Sequence, residues 1–216
     1  MSAKEGETFI KKAMRELELE EYGLNVDHLG EKSESFLEMT AASPSRQKAL
    51  VRAVGSILEN DPSAKIVVFA TTAGYESACK ALQSSKFDFC KVSNTRDSVE
   101  RQNKIISWFR HLDVNEEERQ RPRILILDFV QAAGHNLQAA IADVIFYDPV
   151  YTSPDAVADV STEEQAVGRV YRQGQHRDVT CTRIVVNGPN GEKCLDDWIV
   201  ARNTSPSNIQ AATSNF

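Results

Sequence analysis

One run of residues in the last third of the chain carries the side chains best suited to chemistry. Gln165 and Arg169 are four positions apart, Arg172 follows three positions later, and Gln173, Gly174 and Gln175 come directly after it. Residues three and four apart share one face of a helix, so Gln165 and Arg169 are predicted to project together, with Arg172 one turn later. A guanidinium group stays charged and bonds oxygen atoms in pairs. Two such groups on one face are suited to binding a polyphosphate.

The same arginines could instead form a solvated basic helix end, because Arg favours the C-terminal end of the helix dipole. The flanking segments bear on this choice. Residues 142–151 have the pattern of a buried strand ending in a turn, and residues 179–186 form a β-branched run. The arginine helix is therefore predicted to lie between two strands.

The elements that must position this helix alternate along the chain from Lys65 onward. Strands are predicted at residues 66–70, 88–92, 124–127, 143–147 and 179–186, and further helices at residues 73–84 and 97–112. Short apolar runs separated by helical patterns are typical of a mainly parallel sheet that is covered on both faces. The predicted fold class is therefore α/β, doubly wound.

The chain divides into three predicted segments. Residues 1–42 have apolar positions at helical spacing and are predicted to form a helical extension. A helix should begin near Ser43-Pro44-Ser45 and stop at Asn60-Asp61-Pro62, and the main domain covers residues 43–202. The polar, nearly uncharged segment 203–216 is expected to be a disordered tail.

Composition limits the class of protein. A hydrophobic fraction of 41% in 216 residues supports a sizeable core, and a net charge of -6 argues against a surface coated in basic residues for nucleic acid. No apolar stretch approaches the roughly 18 residues that would span a bilayer. The N-terminus lacks a signal-peptide core, so we expect an intracellular protein. The four cysteines show no Cys-x-x-Cys pairing, which indicates neither a zinc site nor a disulfide framework.

The arginine run matches a known motif. The sixth motif of superfamily-two helicases reads Gln-Ala-x-x-Arg-x-x-Arg-x-Gly-Gln, and every fixed position is present from Gln165 to Gln175. The chain resembles the C-terminal RecA-like lobe of these helicases, most closely the Swi/Snf-type remodelling and repair translocases. The resemblance implies ATP with magnesium as cofactor. It implies that Arg172 is an arginine finger, that Arg169 is a second γ-phosphate contact, and that Gln165 positions the attacking water or the phosphate. Gly168 would lie at the nucleotide.

Two further segments extend the resemblance. Gly134 and Asn136 occupy fixed positions of the family's fifth motif, Gly-x-Asn-Leu-x-x-Ala, which implies a place beside the nucleotide, although residues 130–132 depart from the preceding Ala-Gly-Gly. Residues 65–71 resemble the fourth motif, so Thr71 and Thr72 are expected to contact a nucleic-acid backbone beyond the carboxyl end of their strand. The alternative use is a helix N-cap, which we expect at Thr72. Residues 155–161 are expected to be an insertion in a surface loop.

The sequence lacks the parts of a first motor lobe. No Gly is followed by Lys and no Asp by Glu, so neither the phosphate-binding loop nor the magnesium-binding pair is present. We therefore expect a second motor lobe that is inactive alone, with double-stranded DNA and an ATPase lobe in cis or in trans as partners. The alternative is a degenerate lobe that binds nucleic acid or protein without ATPase activity. An unrelated nucleotide-binding enzyme is disfavoured by the absence of Gly-x-Gly-x-x-Gly. A nuclear location follows from the resemblance alone.

Overall fold

The computed structural model describes residues 41–92, 99–110, 122–129, 137, 141–151, 156–187, 194–205 and 209. The predicted helical extension lies outside these residues except for its last two positions, and so does most of the predicted tail. The helices are α1 (Pro44–Asn60), α2 (Thr72–Ser84), α3 (Val99–Arg110), α4 (Ala156–Val170) and α5 (Leu195–Asn203). The strands are β1 (Lys65–Ala70), β2 (Phe89–Lys91), β3 (Ile124–Asp128), β4 (Ile141–Phe146) and β5 (Thr180–Arg183).

These strands form one sheet in the order β2-β3-β1-β4-β5, and all neighbouring strands pair in parallel. In the centre, Val67 of β1 pairs with Leu125 of β3 on one side and with Val144 of β4 on the other. Parallel neighbours require crossover connections, and helices α2 to α4 lie within these connections. The predicted α/β doubly wound class is confirmed.

The burial of the central strand, β1, shows that helices pack against both faces of the sheet. Every residue of β1 is buried, and successive side chains of a strand point to opposite faces. On one face, Val67 and Phe69 belong to the cluster that contains Phe109 of α3 and Val170 of α4. On the other face, a second cluster joins β1 to α1 and α2 through residues that share complete or nearly complete burial: Ile66, Val68, Leu50 and Leu82.

Helix α1 begins with Pro44 in its first turn, as predicted, but the Ser43 side chain makes no capping hydrogen bond. A buried ion pair fixes the helix instead. Arg46, 1% exposed, donates to Oδ2 of Asp196 at 2.5 Å and to the carbonyl oxygens of Tyr147 and Ile184 at 3.1 and 3.2 Å. Tyr147 and Ile184 directly follow β4 and β5, so this one guanidinium joins α1, α5 and the carboxyl ends of two strands.

The structure corrects three expectations near the C-terminus. Residues 156–161 are not a loop, because α4 begins at Ala156; Val160 is buried there, and Asp159 pairs with Arg202 of α5. Strand β5 is shorter than the apolar run that predicted it. Helix α5 was missed, and Asn203, assigned to the disordered tail, ends this helix and donates to the carbonyl oxygen of Val150 at 2.9 Å.

Candidate functional site

The C-terminal half of α4 has one face buried against the sheet and one face that is more accessible to solvent. Ala166 and Val170 are completely buried against the sheet, which fixes the rotation of the helix about its axis. Gln165 is exposed, and Arg169 is partly buried. The amide nitrogen of Gln165 reaches Oγ of Ser161 at 3.4 Å, near the limit of a hydrogen bond. Gln165 and Arg169 thus occupy successive turns of one helix, as the spacing predicted.

Arg172 does not follow on the helix, contrary to the prediction. Helix α4 ends at Val170, and the chain bends at Tyr171 and Arg172. The N–H of Gln175 then donates to the carbonyl oxygen of Arg172 at 2.9 Å and closes a tight turn. Gly174 has a φ of 98° within this turn, in the left-handed region that Gly adopts at low cost. We call residues 171–177 the arginine loop.

The two arginines still act on each other. The pKa of Arg169 is lowered from its usual value, first by burial and second by the positive charge of Arg172. A lowered pKa means that the protonated form of Arg169 is disfavoured by its surroundings. An anion placed beside both guanidinium groups would relieve that penalty. The arrangement therefore favours binding of a negatively charged group such as a phosphate.

Gly168 lies between these side chains in sequence and has open space around it. A Cβ atom built on Gly168 meets no atom within 4 Å. Packing among the described residues therefore gives no reason for a Gly at this position. The bare backbone would allow a ligand to approach the last turn of α4 closely.

The fifth and sixth motifs meet through one described residue. Leu137 is completely buried, and its backbone N–H donates to the carbonyl oxygen of Arg169 at 2.8 Å. This bond satisfies one of the carbonyl groups that a helix end leaves without an internal partner. Gly134 and Asn136, which the resemblance assigned to the nucleotide, lie outside the described residues.

The arginine loop lies at the amino ends of the strands. The side chain of Gln175 donates to the carbonyl oxygen of Ile141, the first residue of β4, at 2.7 Å. The side chain of Arg177 donates to Asp61, which precedes β1, at 3.2 Å. Helix α4 therefore carries the chain from the carboxyl edge of the sheet to its amino edge, with Arg169 in its last turn and Arg172 just beyond its end.

The two threonines predicted to contact nucleic acid lie at the opposite, carboxyl edge. Thr71 donates through its backbone N–H to Oδ1 of Asp148 at 2.9 Å and through its hydroxyl to Oδ2 of the same residue. Its hydroxyl oxygen also accepts from the N–H of Gly74 at 3.2 Å. Thr71, not Thr72, is thus the N-cap of α2. Thr72 is exposed and donates to Oδ2 of Asp128 at 2.8 Å.

Asp148 is the buried carboxylate beneath this edge. Burial raises its pKa to about 6, although the hydrogen bonds from Thr71 and the charge of Arg46 act in the opposite direction. The sequence placed Asp148 only within residues 142–151, a buried strand ending in a turn, and did not indicate its contact with Thr71. The signal was its position directly after a buried strand, where side chains of neighbouring strands converge.

Other kinds of site are absent from the part of the chain that the structure describes. It contains no group of three or more His, Cys, Asp or Glu side chains that could hold a metal ion. Its cysteines, Cys79, Cys90, Cys181 and Cys194, are free thiols. Among these same residues, no helix combines the length and the apolar character that a membrane crossing requires.

Known proteins show what the chain is similar to. No family model matches it. It is 27% identical over 142 residues to the DNA repair protein RAD5 of Cryptococcus neoformans var. neoformans serotype D (strain JEC21 / ATCC MYA-565). This alignment covers 65% of the chain and 11% of RAD5, so the chain spans only a small part of that relative.

A solved structure shares the fold. The C-terminal part of the Fun30 ATPase domain superposes with a TM-score of 0.53 at 18% sequence identity, over 76% of this chain and 50% of that one. The parallel sheet, the complete sixth motif and these two similarities agree with one another. The chain has the RecA-like fold of a helicase C-terminal lobe, and it resembles superfamily-two helicases of the Swi/Snf type.

Proposed function

We propose that this chain is the second motor lobe of a Swi/Snf-type, ATP-dependent DNA translocase that works in DNA repair or chromatin remodelling. One observation carries the proposal: Arg169 in the last turn of α4 and Arg172 in the tight turn that follows lie beside the open backbone of Gly168. Structural proteins have no evident need for two cations held near each other. A site that binds a polyphosphate and transfers its phosphoryl group does need two cations, because phosphoryl transfer depends mainly on electrostatic stabilisation.

Each residue has a distinct part in this proposal. Arg172, exposed on its turn, reaches the γ-phosphate of ATP as the arginine finger and stabilises charge in the transition state. Arg169, partly buried in the last turn of α4, holds the same phosphate from the lobe side. Gln165, one turn earlier, orients the attacking water or a phosphate oxygen. Gly168 gives the nucleotide room.

The remaining parts come from elsewhere in the motor. ATP with its magnesium ion supplies the phosphoryl group, and a first lobe, in cis or in trans, supplies the phosphate-binding loop. This sequence contains neither that loop nor the acidic pair that holds magnesium. The lobe by itself should therefore not hydrolyse ATP at a measurable rate. A DNA-repair role draws support from the printed name of the RAD5 relative, and a nuclear location would follow from such a role.

DNA contacts in the proposal lie at the carboxyl edge of the sheet. Thr72 is exposed there, and its hydroxyl would donate to a phosphate oxygen after turning away from Asp128, to which it donates at 2.8 Å. Thr71 contributes less than the sequence suggested, because its hydroxyl already donates to Asp148 and accepts from Gly74. We propose that Thr71 shapes this edge and that Thr72 makes the contact.

DNA-dependent ATP hydrolysis by the protein in its natural length tests the function. Arg172→Ala should lower turnover by roughly 10³-fold or more, as the loss of an arginine finger does. Gln173→Ala, in the same exposed turn, is the matched control and should leave turnover within about twofold of the natural rate. If Arg172→Ala keeps full turnover, the arginine is not a finger. Complete absence of ATPase activity with retained DNA binding would instead favour the degenerate regulatory lobe.

A further inference from the structure

The side chain of Gln175 is bonded at both ends. Its amide nitrogen donates to the carbonyl oxygen of Ile141 at 2.7 Å, and its amide oxygen accepts from the backbone N–H of Arg177 at 3.0 Å. The backbone N–H of Gln175 also donates to the carbonyl oxygen of Arg172 at 2.9 Å. One residue therefore links the first residue of β4 to both sides of the arginine loop.

The turn that carries Arg172 depends on this link for its place. Arg172 and Gln173 are exposed, so no burial against the core holds them. The left-handed φ of Gly174 sets the shape of the turn, but shape alone does not fix where the turn lies relative to the sheet. The bond to Ile141 supplies that second constraint, because β4 is an interior strand of a sheet buried on both faces.

A second attachment of the loop, also to a described residue, is weaker. The ion pair between Arg177 and Asp61 has an N–O distance of 3.2 Å, and its side chains are 45% and 41% exposed. Exposed ion pairs of this kind contribute little, because water screens the charges and both long side chains must be ordered. Gln175 is half-buried and uncharged, so its hydrogen bonds are better protected from water. It is the stronger of the two anchors.

We propose that Gln175 is a positioning residue that holds the Arg172 turn at the amino edge of β4, and so places the finger for phosphoryl transfer. This proposal rests on the proposed function for its catalytic consequence. It does not require Gln175 to touch nucleotide, since both ends of its amide are bonded within the lobe. Its effect should therefore appear only through Arg172.

Two measurements test the proposal. The first is amide hydrogen exchange on the full chain. Gln175→Met keeps the length of the side chain and removes both amide bonds, so the N–H of Arg177 should exchange about five- to tenfold faster. Gln175→Glu keeps the oxygen that accepts from that N–H and removes the donor to Ile141. It therefore tests the two hydrogen bonds one at a time. Gln173→Met is the matched control and should leave exchange unchanged. Unchanged exchange at Arg177 and Gln175 in Gln175→Met would overturn the proposal.

The second measurement is a double-mutant cycle in DNA-dependent ATP hydrolysis by the protein in its natural length. Gln175→Met should lower kcat about 10- to 100-fold with little change in the KM for ATP, because a misplaced finger weakens the transition state more than the ground state. In the Arg172→Ala background, Gln175→Met should cause no further loss. An equal loss in both backgrounds would show that Gln175 does not act through Arg172.

The two measurements keep this inference distinct from the proposed function. If Arg172→Ala alone retains full turnover, the proposed function fails, and hydrogen exchange alone decides whether Gln175 holds the turn. If Arg172→Ala is inactive but Gln175→Met is fully active with unchanged exchange, the function stands and the positioning role falls. Natural unfolding midpoints for both Gln175 variants would show that any loss is not a loss of folding.

Discussion

Gly74 lies directly against the carboxylate of Asp148: a Cβ atom built on Gly74 would stand 2.5 Å from Oδ2. A Cβ atom does not approach a non-bonded oxygen so closely, and Asp148 is held in place by Thr71. Gly74→Ala should therefore shift the start of α2 and lower the free energy of unfolding by about 1–3 kcal/mol, the usual range for an overpacked interior. Urea denaturation followed by circular dichroism would measure this. A variant as stable as the natural protein would contradict the close approach.

Gly168 should respond in the opposite way, which makes it the matched control. Its Cβ position is open, and it lies inside α4, where Ala is a better helix former than Gly. Gly168→Ala should raise the free energy of unfolding by about 0.5–1 kcal/mol. If a nucleotide packs against this turn, the same variant should weaken ATP binding. A stabilised variant with unaltered ATP turnover would remove Gly168 from the proposed nucleotide site.

The stability of the lobe should depend on pH through Asp148. Its pKa is raised from 3.8 to about 6 in the folded state, so the folded protein favours the protonated carboxyl group. The stability that this group contributes is fully present below about pH 4 and is lost as pH rises through 6. The loss is at most about 3 kcal/mol, since each pH unit between two pKa values corresponds to about 1.4 kcal/mol.

Asp148→Asn isolates this contribution, because the amide has the same shape and does not titrate. The free energy of unfolding of the natural protein minus that of the variant should fall as pH is raised from 4 to 7. Other titrating groups affect both proteins and cancel in the difference. A difference that stays constant over this range would show that Asp148 has an ordinary pKa.

Arg46 should be the most sensitive charged residue among those described in α1. It is buried with Asp196, and its loss would leave that carboxylate buried without its cation. Breaking one partner of a buried ion pair costs about 3–5 kcal/mol, so Arg46→Ala should lower the unfolding midpoint strongly. Arg52→Ala, on the exposed face of the same helix, should change stability by less than about 0.5 kcal/mol. Equal effects of the two variants would contradict the role of Arg46.

The sequence predicted the elements whose signal is local. The apolar runs around Val67 and Leu125 predicted buried strands, and Pro44 marked the first turn of α1 within one residue. The prediction that α4 continues to Arg172 was wrong. Helical spacing extends that far in the sequence, but the left-handed Gly174 and the bond from Gln175 to Arg172 impose a turn. Spacing alone does not show where a backbone finds its hydrogen-bond partners.

The contacts that sequence reasoning missed are those between distant residues. Arg46 and Asp196 are 150 positions apart, and Thr71 and Asp148 are 77 apart. The local pattern around Arg46 and Asp196 indicates no partner, and the position of Thr71 and Asp148 directly after buried strands does not show that the two strands are neighbours. Such pairs become visible only when the strand order places their elements together. The roles of Arg169, Arg172 and Gln165 in catalysis stay predictions, since the structure locates these side chains without testing their chemistry.

The position of α4 has a mechanical consequence. The arginine loop and the threonine edge lie at opposite ends of the same strands, separated by about 20 Å if β1 rises about 3.3 Å per residue. The central strands β1, β3 and β4 are packed on both faces, so we expect them to move as one unit. A displacement at the arginine loop should therefore reach the threonine edge as a rigid-body movement of the whole lobe, without local deformation of the sheet.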